Sequence, residues 1–264
     1  SFNQFLKLKK YSKKLKIKFF ASAFDLDSLN FLIKNLDLIK VSSSDNNNFI
    51  FFDKIFKNKK KCIVSTGLLE NNQIKLFIKK LEERYSKKTI KKNLGLLHCV
   101  ASYPAKQEDL NLDYIEELKK KYDFKIGYSD HSLGPDACIV AASLGAEIIE
   151  KHFTLNKNYS TFRDHKISSD PKEMKNLVRT IRKIEVIKGN KIKKLMSEEK
   201  SNLKILRRSF YALKKLEKGE KLNISKISAL RPKVRNSINL ENIDNFINKK
   251  VKKSYKKNDV LLTK

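Results

Sequence analysis

Six short apolar runs, each followed by a stretch of helical periodicity, constrain the fold of this chain more than any other feature. The runs occupy 17–24, 38–43, 62–66, 94–100, 124–129 and 146–153, and the helix-period stretches 26–36, 48–56, 73–86, 109–122, 134–144 and 171–187. Within 73–86, for example, Ile74, Phe77, Ile78 and Leu81 fall on one helical face. Runs without polar alternation belong to strands covered on both sides, and such strands alternating with helices pair in parallel. The pattern predicts a β/α barrel or a large open parallel sheet.

The polar residues choose between these two. Most runs end in a polar cluster: Ser22, then 42–45, Ser65-Thr66, Ser102-Tyr103, Ser129-Asp130-His131 and Lys151-His152. A ring of functional groups on the C-terminal ends of successive strands is where a β/α barrel builds its active site. An open sheet gathers such groups at one switch point, and the sequence has no glycine-rich phosphate loop. The expected fold is therefore α/β, a (β/α)8 TIM barrel. Closure needs eight units and six are visible, so two βα units are expected upstream of Ser1. The chain opens inside an amphipathic helix carrying Phe2, Phe5, Leu6, Leu8, Tyr11 and Leu15.

After residue 187 the texture changes. We expect a partial barrel over 1–188, a polar linker over 189–206 and a small β-rich domain over 207–264. In the last, 208–212, 227–231 and 260–262 read as strands, 216–220 as a turn and 242–247 as a short helix. A domain of about 60 residues is near the lower limit for an independent core. It is expected to lean on the barrel or on another subunit.

The net charge of +30, from 59 basic and 29 acidic residues, invites a nucleic-acid role. Only eight of the basic residues are Arg, and the Lys are scattered among Asn and Ile along the whole chain. Arginine-rich arm, zinc-ligand spacing and aromatic stacking motif are all missing. A diffuse basic surface specifies only non-specific attraction, so no nucleic-acid partner is expected, although part of the field can steer an anionic substrate. Cys62, Cys99 and Cys138 sit in apolar segments without metal or redox spacing, as small hydrophobes in a reducing compartment. With no secretion signal at its start, the chain is expected to be cytoplasmic. No apolar run approaches the ~20 residues of a bilayer span, so no membrane role is expected.

His131 and His152 each follow an apolar run, on what would be adjacent strand ends. Two such imidazoles can converge on one divalent ion, leaving its other positions to water and substrate. Two unrelated histidines in polar loops give the same spacing. His98, within an apolar run, reads as a hydrogen-bonded interior residue.

Gly127-Tyr128-Ser129-Asp130-His131, the stretch 144–155 and Arg163-Asp164-His165-Lys166-Ile167-Ser168 closely resemble the sialic acid (N-acetylneuraminate) synthase family. So do Ser22-Ala23-Phe24-Asp25, Lys40-Val41-Ser42-Ser43, Val64-Ser65-Thr66-Gly67 and 96–100, with Tyr103-Pro104 following. Arg207-Arg208-Ser209, Lys218-Gly219-Glu220 and Arg231-Pro232 resemble that family's antifreeze-like SAF (β-clip) domain. The resemblance implies a transferase that forms a C–C bond between phosphoenolpyruvate and N-acetylmannosamine and releases phosphate. Its alternatives are a legionaminate or pseudaminate synthase acting on another N-acetylated sugar, or a catalytically incomplete sugar-binding relative.

Carried over by resemblance, His131 and His152 bind Mn²⁺ or another divalent cation. Lys40 pairs with the negative charge of phosphoenolpyruvate, and Ser22, Ser43, Ser65 and Ser129 donate to its phosphate or carboxylate. Tyr103 and Asp164 hold the sugar, while Arg231 reaches its N-acetyl end across a homodimer. Asp45 stands where the family commonly has Glu for acid–base work. Blander roles compete: strand-end Ser residues often cap the next helix, and Asp130 reads as orienting a neighbour. Ala101, where Asn or Ser is usual, and 157–163, in place of Gly-Pro, depart from the family at the sugar side. The expected upstream strands would carry further substrate groups, an acidic residue and a lysine among them.

Overall fold

The computed structural model describes residues 1–263. The chain divides into two compact units, Ser1–Gly189 and Asn190–Lys264. The first holds a six-stranded, all-parallel sheet whose strands lie side by side in sequence order. These are β1 (Ala21–Ser22), β2 (Leu38–Val41), β3 (Lys61–Ser65), β4 (Leu94–Cys99), β5 (Lys125–Asp130) and β6 (Ile148–Lys151). β1 is much shorter than the apolar run 17–24. Its ladder is Ala21↔Ile39 and Ser22↔Lys40, so only the middle of that run pairs with β2.

Successive strand residues point to opposite faces, and this period sorts the sheet into two chemistries. Ile39, Val41, Cys62, Val64, Leu94, Leu96, Ile126 and Tyr128 pack with Leu29, Phe52, Ile55, Phe77, Leu81, Ile115 and Leu118 of the covering helices in one core. The alternate residues, among them Lys40, Ser65, Leu97, Ser129 and Glu150, face the other way. That second face is concave. Four strand spacings separate β2 from β6, about 19 Å in a flat sheet, yet Lys40 Nζ lies 3.5 Å from Glu150 Oε1. Only a curled sheet brings those side chains together, so the first unit is a half-barrel.

Inside the curl the strands come close. A Cβ on Gly127 would sit 2.4 Å from the Ile148 carbonyl oxygen and 2.6 Å from Leu97 Cδ2. A β6 backbone atom cannot rotate aside, so Gly127→Ala is expected to destabilise the first unit by about 1–3 kcal/mol. Urea unfolding followed by circular dichroism measures it, and an unchanged midpoint would show that β5 and β6 lie further apart.

Helices Lys87–Asn93 and Arg163–Ile167 go beyond the periodicity reading, being too short to show a repeat. The first carried a local signal, since Ser86 caps it by accepting from Thr89 N. The stretch 189–206, expected as a linker, contains helix Ser197–Leu206, with Glu198 and Glu199 in its first turn where the helix dipole favours acids. Among the described residues, no helix is long and apolar enough to cross a membrane.

In the second unit β7 (Ser209–Ala212) and β8 (Ile227–Leu230) pair antiparallel, Ser209 opposite Leu230. Isolated bridges Tyr211↔Val260, Leu216↔Tyr255, Lys221↔Lys250 and Ser237↔Leu262 extend the arrangement. Where an SAF fold is expected, the second unit shows a small antiparallel sheet and single bridges. Ala212, Leu216, Leu222, Ile227, Ile238, Tyr255 and Leu261 form its core. The helix expected over 242–247 is a 3-10 turn, Leu240–Asn245.

Candidate active site in the half-barrel

The C-terminal ends of the strands open into a cavity of about 600 Å³. β1 contributes Ser22 and, just beyond it, Phe24; β2 and its following turn contribute Lys40, Ser42, Ser43 and Ser44. β3 and its loop give Ser65 and Leu68. Ala101 and Tyr103 come from the segment after β4, Ser129 and His131 from β5 and its exit, and Glu150, Lys151 and His152 from β6 and its exit.

Lys40 anchors the floor. It is 7% exposed, so its ammonium is largely removed from water and needs anionic or dipolar partners. Its Nζ donates to Ser65 Oγ at 2.7 Å and to Val41 O at 3.2 Å, and faces Glu150 at 3.5 Å. Ser129 Oγ donates to the same Glu150 oxygen at 2.7 Å. Residues from β2, β3, β5 and β6 are therefore joined in one chain of polar contacts. Glu150 is the member that residue-by-residue reading left out. The signal was available, since Ile148, Glu150 and His152 share one face by the two-residue period.

Close backbone approach shapes the next layer. Ser43 Oγ donates to Cys99 Sγ at 3.6 Å, and a Cβ on Gly67 would meet that same Oγ at 2.6 Å. Asn46, buried, ties the end of β3 in place by donating to Ser65 O and Gly67 O. All three cysteines are free and buried, and burial pushes the Cys62 thiol up to about 12.

The two histidines meet at the cavity wall. Their ring centroids are 5.3 Å apart at 60°, with the Tyr103 ring 4.1 Å from His131 and 6.0 Å from His152. His131 Nδ1 lies 2.8 Å from Val100 O. A carbonyl only accepts, so Nδ1 carries the proton and Nε2 keeps its lone pair, the tautomer a metal ligand needs. Burial holds His131 below its ordinary pKa, with the neighbouring His152 acting in the same direction, against the bond to Val100 O. The ring is thus neutral near pH 7. Among the described residues no three His, Cys, Asp or Glu side chains converge as a metal cage. The donor set fits a divalent cation held by two imidazoles, its other positions open to water and substrate.

The remaining candidates are placed elsewhere. Asp45 ends the 3-10 turn Ser43–Asp45, where its carboxylate accepts from Ser44 Oγ at 2.7 Å and Ser42 Oγ at 3.3 Å; it does not line the cavity. Asp164 lies in helix Arg163–Ile167, where its carbonyl accepts from Ser168, and it too is outside the lining. Arg231 belongs to the second unit and donates from Nε to Leu206 O at 2.9 Å. His98 faces the helical layer, 2.7 Å from Leu110 O.

The chain is similar to known proteins over most of its length. The N,N'-diacetyllegionaminic acid synthase of Campylobacter jejuni is 36% identical over 252 residues, covering 95% of this chain and 74% of that protein. Human N-acetylneuraminate-9-phosphate synthase is 31% identical over 266 residues, covering 99% of this chain and 71% of that protein. Among solved structures, the N-acetylneuraminic acid synthetase of Leptospira borgpetersenii superposes with a TM-score of 0.70 at 35% identity, covering 76% of this chain and 69% of that one. The model described as the NeuB family matches residues 1–193, all six strands included. Similarity of this extent, over the strands that build the cavity, leads to one conclusion: the chain belongs to the NeuB family.

Proposed function

We propose that this protein condenses phosphoenolpyruvate with an N-acetylated amino sugar, forming a nine-carbon 2-keto acid and releasing phosphate. The observation that carries the reading is the meeting of two groups in one cavity: a buried lysine among serine hydroxyls, and a pair of imidazoles. Lys40 and the hydroxyls of Ser22, Ser43, Ser65 and Ser129 are placed on rigid strand ends to bind a small, multiply charged anion. Nε2 of His131 and the ring of His152 would hold the cation. When bound, a divalent cation such as Mn²⁺ supplies Lewis-acid polarisation of the open-chain sugar aldehyde.

The bond changes follow from the substrates. The enol carbon of phosphoenolpyruvate attacks the aldehyde carbon, and the former aldehyde oxygen takes up a proton. Water adds at the carbon bearing the phosphate, and cleavage of its bond to the ester oxygen gives phosphate and the keto acid. In this reading Tyr103, whose ring packs against both imidazoles, orients the sugar. Asp45, Asp164, Arg231 and the pairing of two copies enter this reading through the resemblance alone.

The first sugar to test is N-acetylmannosamine. Higher identity to the diacetyllegionaminic acid synthase than to the human enzyme favours a diacetamido hexose as the second. The assay is phosphate release from phosphoenolpyruvate with Mn²⁺ and each sugar. Release that depends on the sugar and stops with EDTA is the expected result. No release with any N-acetylated hexose would sink the enzyme reading in favour of a binding module.

A further inference from the structure

Behind the imidazoles, on the helix-facing side of the sheet, lies an ion pair the reaction above does not use. Lys151 Nζ donates to Asp130 Oδ2 at 2.6 Å, with side chains 2% and 0% exposed. Every polar atom of the pair is occupied. Asp130 Oδ1 accepts from Ser132 N at 2.9 Å, Ser132 Oγ at 2.7 Å and Tyr128 OH at 3.0 Å, and Oδ2 from Cys138 Sγ at 3.3 Å. Lys151 also donates to Ser132 O at 2.7 Å. Removing two charges from water costs much of what their attraction returns, so such a pair is a poor source of stability. Its position in the sheet suggests another role.

Asp130 and Lys151 are directly opposite each other and form the last rung of the β5–β6 ladder. The next residue on each strand is an imidazole, His131 or His152. Beyond the rung the two backbones part: His131 O accepts from Ala105 N at 3.0 Å, and His152 O from Ser169 N at 2.8 Å. The ion pair is thus the final direct tie between the strands before the rings. We propose that Asp130 and Lys151 are positioning residues, fixing the separation of His131 and His152 so that both rings can share one cation. This rests on the metal-binding reading above. The pair acts through the two strand ends: Asp130 lies outside the cavity lining, and the ammonium of Lys151, 2% exposed, is held by Asp130 and Ser132.

Titrating Mn²⁺ into the protein, with free ion followed by electron paramagnetic resonance, tests this without turnover. Lys151→Met is expected to raise the Mn²⁺ Kd about 10–100-fold, the usual cost of losing an outer partner. Lys151→Arg, which restores the charge, recovers most of the affinity. Because Lys151→Met leaves a buried carboxylate unpaired, the double variant Asp130→Asn/Lys151→Met, free of any unpaired charge, is measured beside it and is expected to bind as weakly. A purely structural role would lower the melting temperature and leave the Kd of the folded protein unchanged, and that result overturns the proposal. Where neither variant folds, Ser132→Ala, which strips one donor from Asp130, decides by the same criterion. Wild-type protein that binds no Mn²⁺ overturns the metal reading itself, and this inference with it.

Discussion

His152→Ala is expected to abolish condensation, lowering kcat at least ~10³-fold, equivalent to the several kcal/mol a Lewis acid contributes at a carbonyl. The size follows from the count of ligands. With no third His, Cys, Asp or Glu in reach among the described residues, loss of one imidazole leaves a single protein donor, and water outcompetes a single donor. His131→Ala is expected to act alike. His98 supplies the internal control: its ring is also buried, but its bond is to Leu110 O in the helical layer. Burial keeps His98 neutral, overcoming the opposing effect of that bond. His98→Asn should therefore lower the melting temperature while leaving the Mn²⁺ Kd intact. Turnover in His152→Ala at the wild-type rate, insensitive to EDTA, would remove the imidazole pair from the mechanism.

What the sequence made legible was whatever repeats. Six apolar runs became six parallel strands in order, because burial on both faces leaves a local imprint of consecutive apolar residues. Polar residues at the run ends came together for the same reason: in a curled parallel sheet, all C-terminal ends share one mouth. Ser22, Lys40, Ser43, Ser65, Tyr103, Ser129, His131 and His152 line that mouth as a consequence. Non-local properties left weaker traces. The Lys40–Glu150 contact spans four strand spacings and depends on curvature, which no window of sequence encodes. Asp45, carried over from the family's Glu, shows the limit of position alone: its carboxylate accepts from Ser42 and Ser44 within its own turn, outside the cavity lining. In the second unit the strands are four residues long and much of the pairing is by single bridges, too short for a two-residue period to stand out from its lysines.

Lys40→Met is expected to cost about 2–4 kcal/mol in kcat/KM for phosphoenolpyruvate, roughly 30- to 1,000-fold, and to appear chiefly as a raised KM. Two losses combine. The anion loses the buried cation of β2, and Glu150, released from the ammonium 3.5 Å away, then faces the incoming carboxylate and phosphate as a like charge. Removing both charges separates these effects. Glu150→Gln preserves an acceptor for Ser129 Oγ, which now donates to Glu150 at 2.7 Å, and abolishes the repulsion. Lys40→Met/Glu150→Gln should therefore be less impaired than Lys40→Met alone, a coupling that a double-mutant cycle in kcat/KM reads directly. Strictly additive losses would mean that Glu150 does not act through Lys40. A Lys40→Met enzyme with an unaltered KM for phosphoenolpyruvate would move the anion site away from β2 altogether. Glu150 faces the ammonium at 3.5 Å, so a polyanion binding at Lys40 would compete with a side chain that the sheet's own curvature has put there.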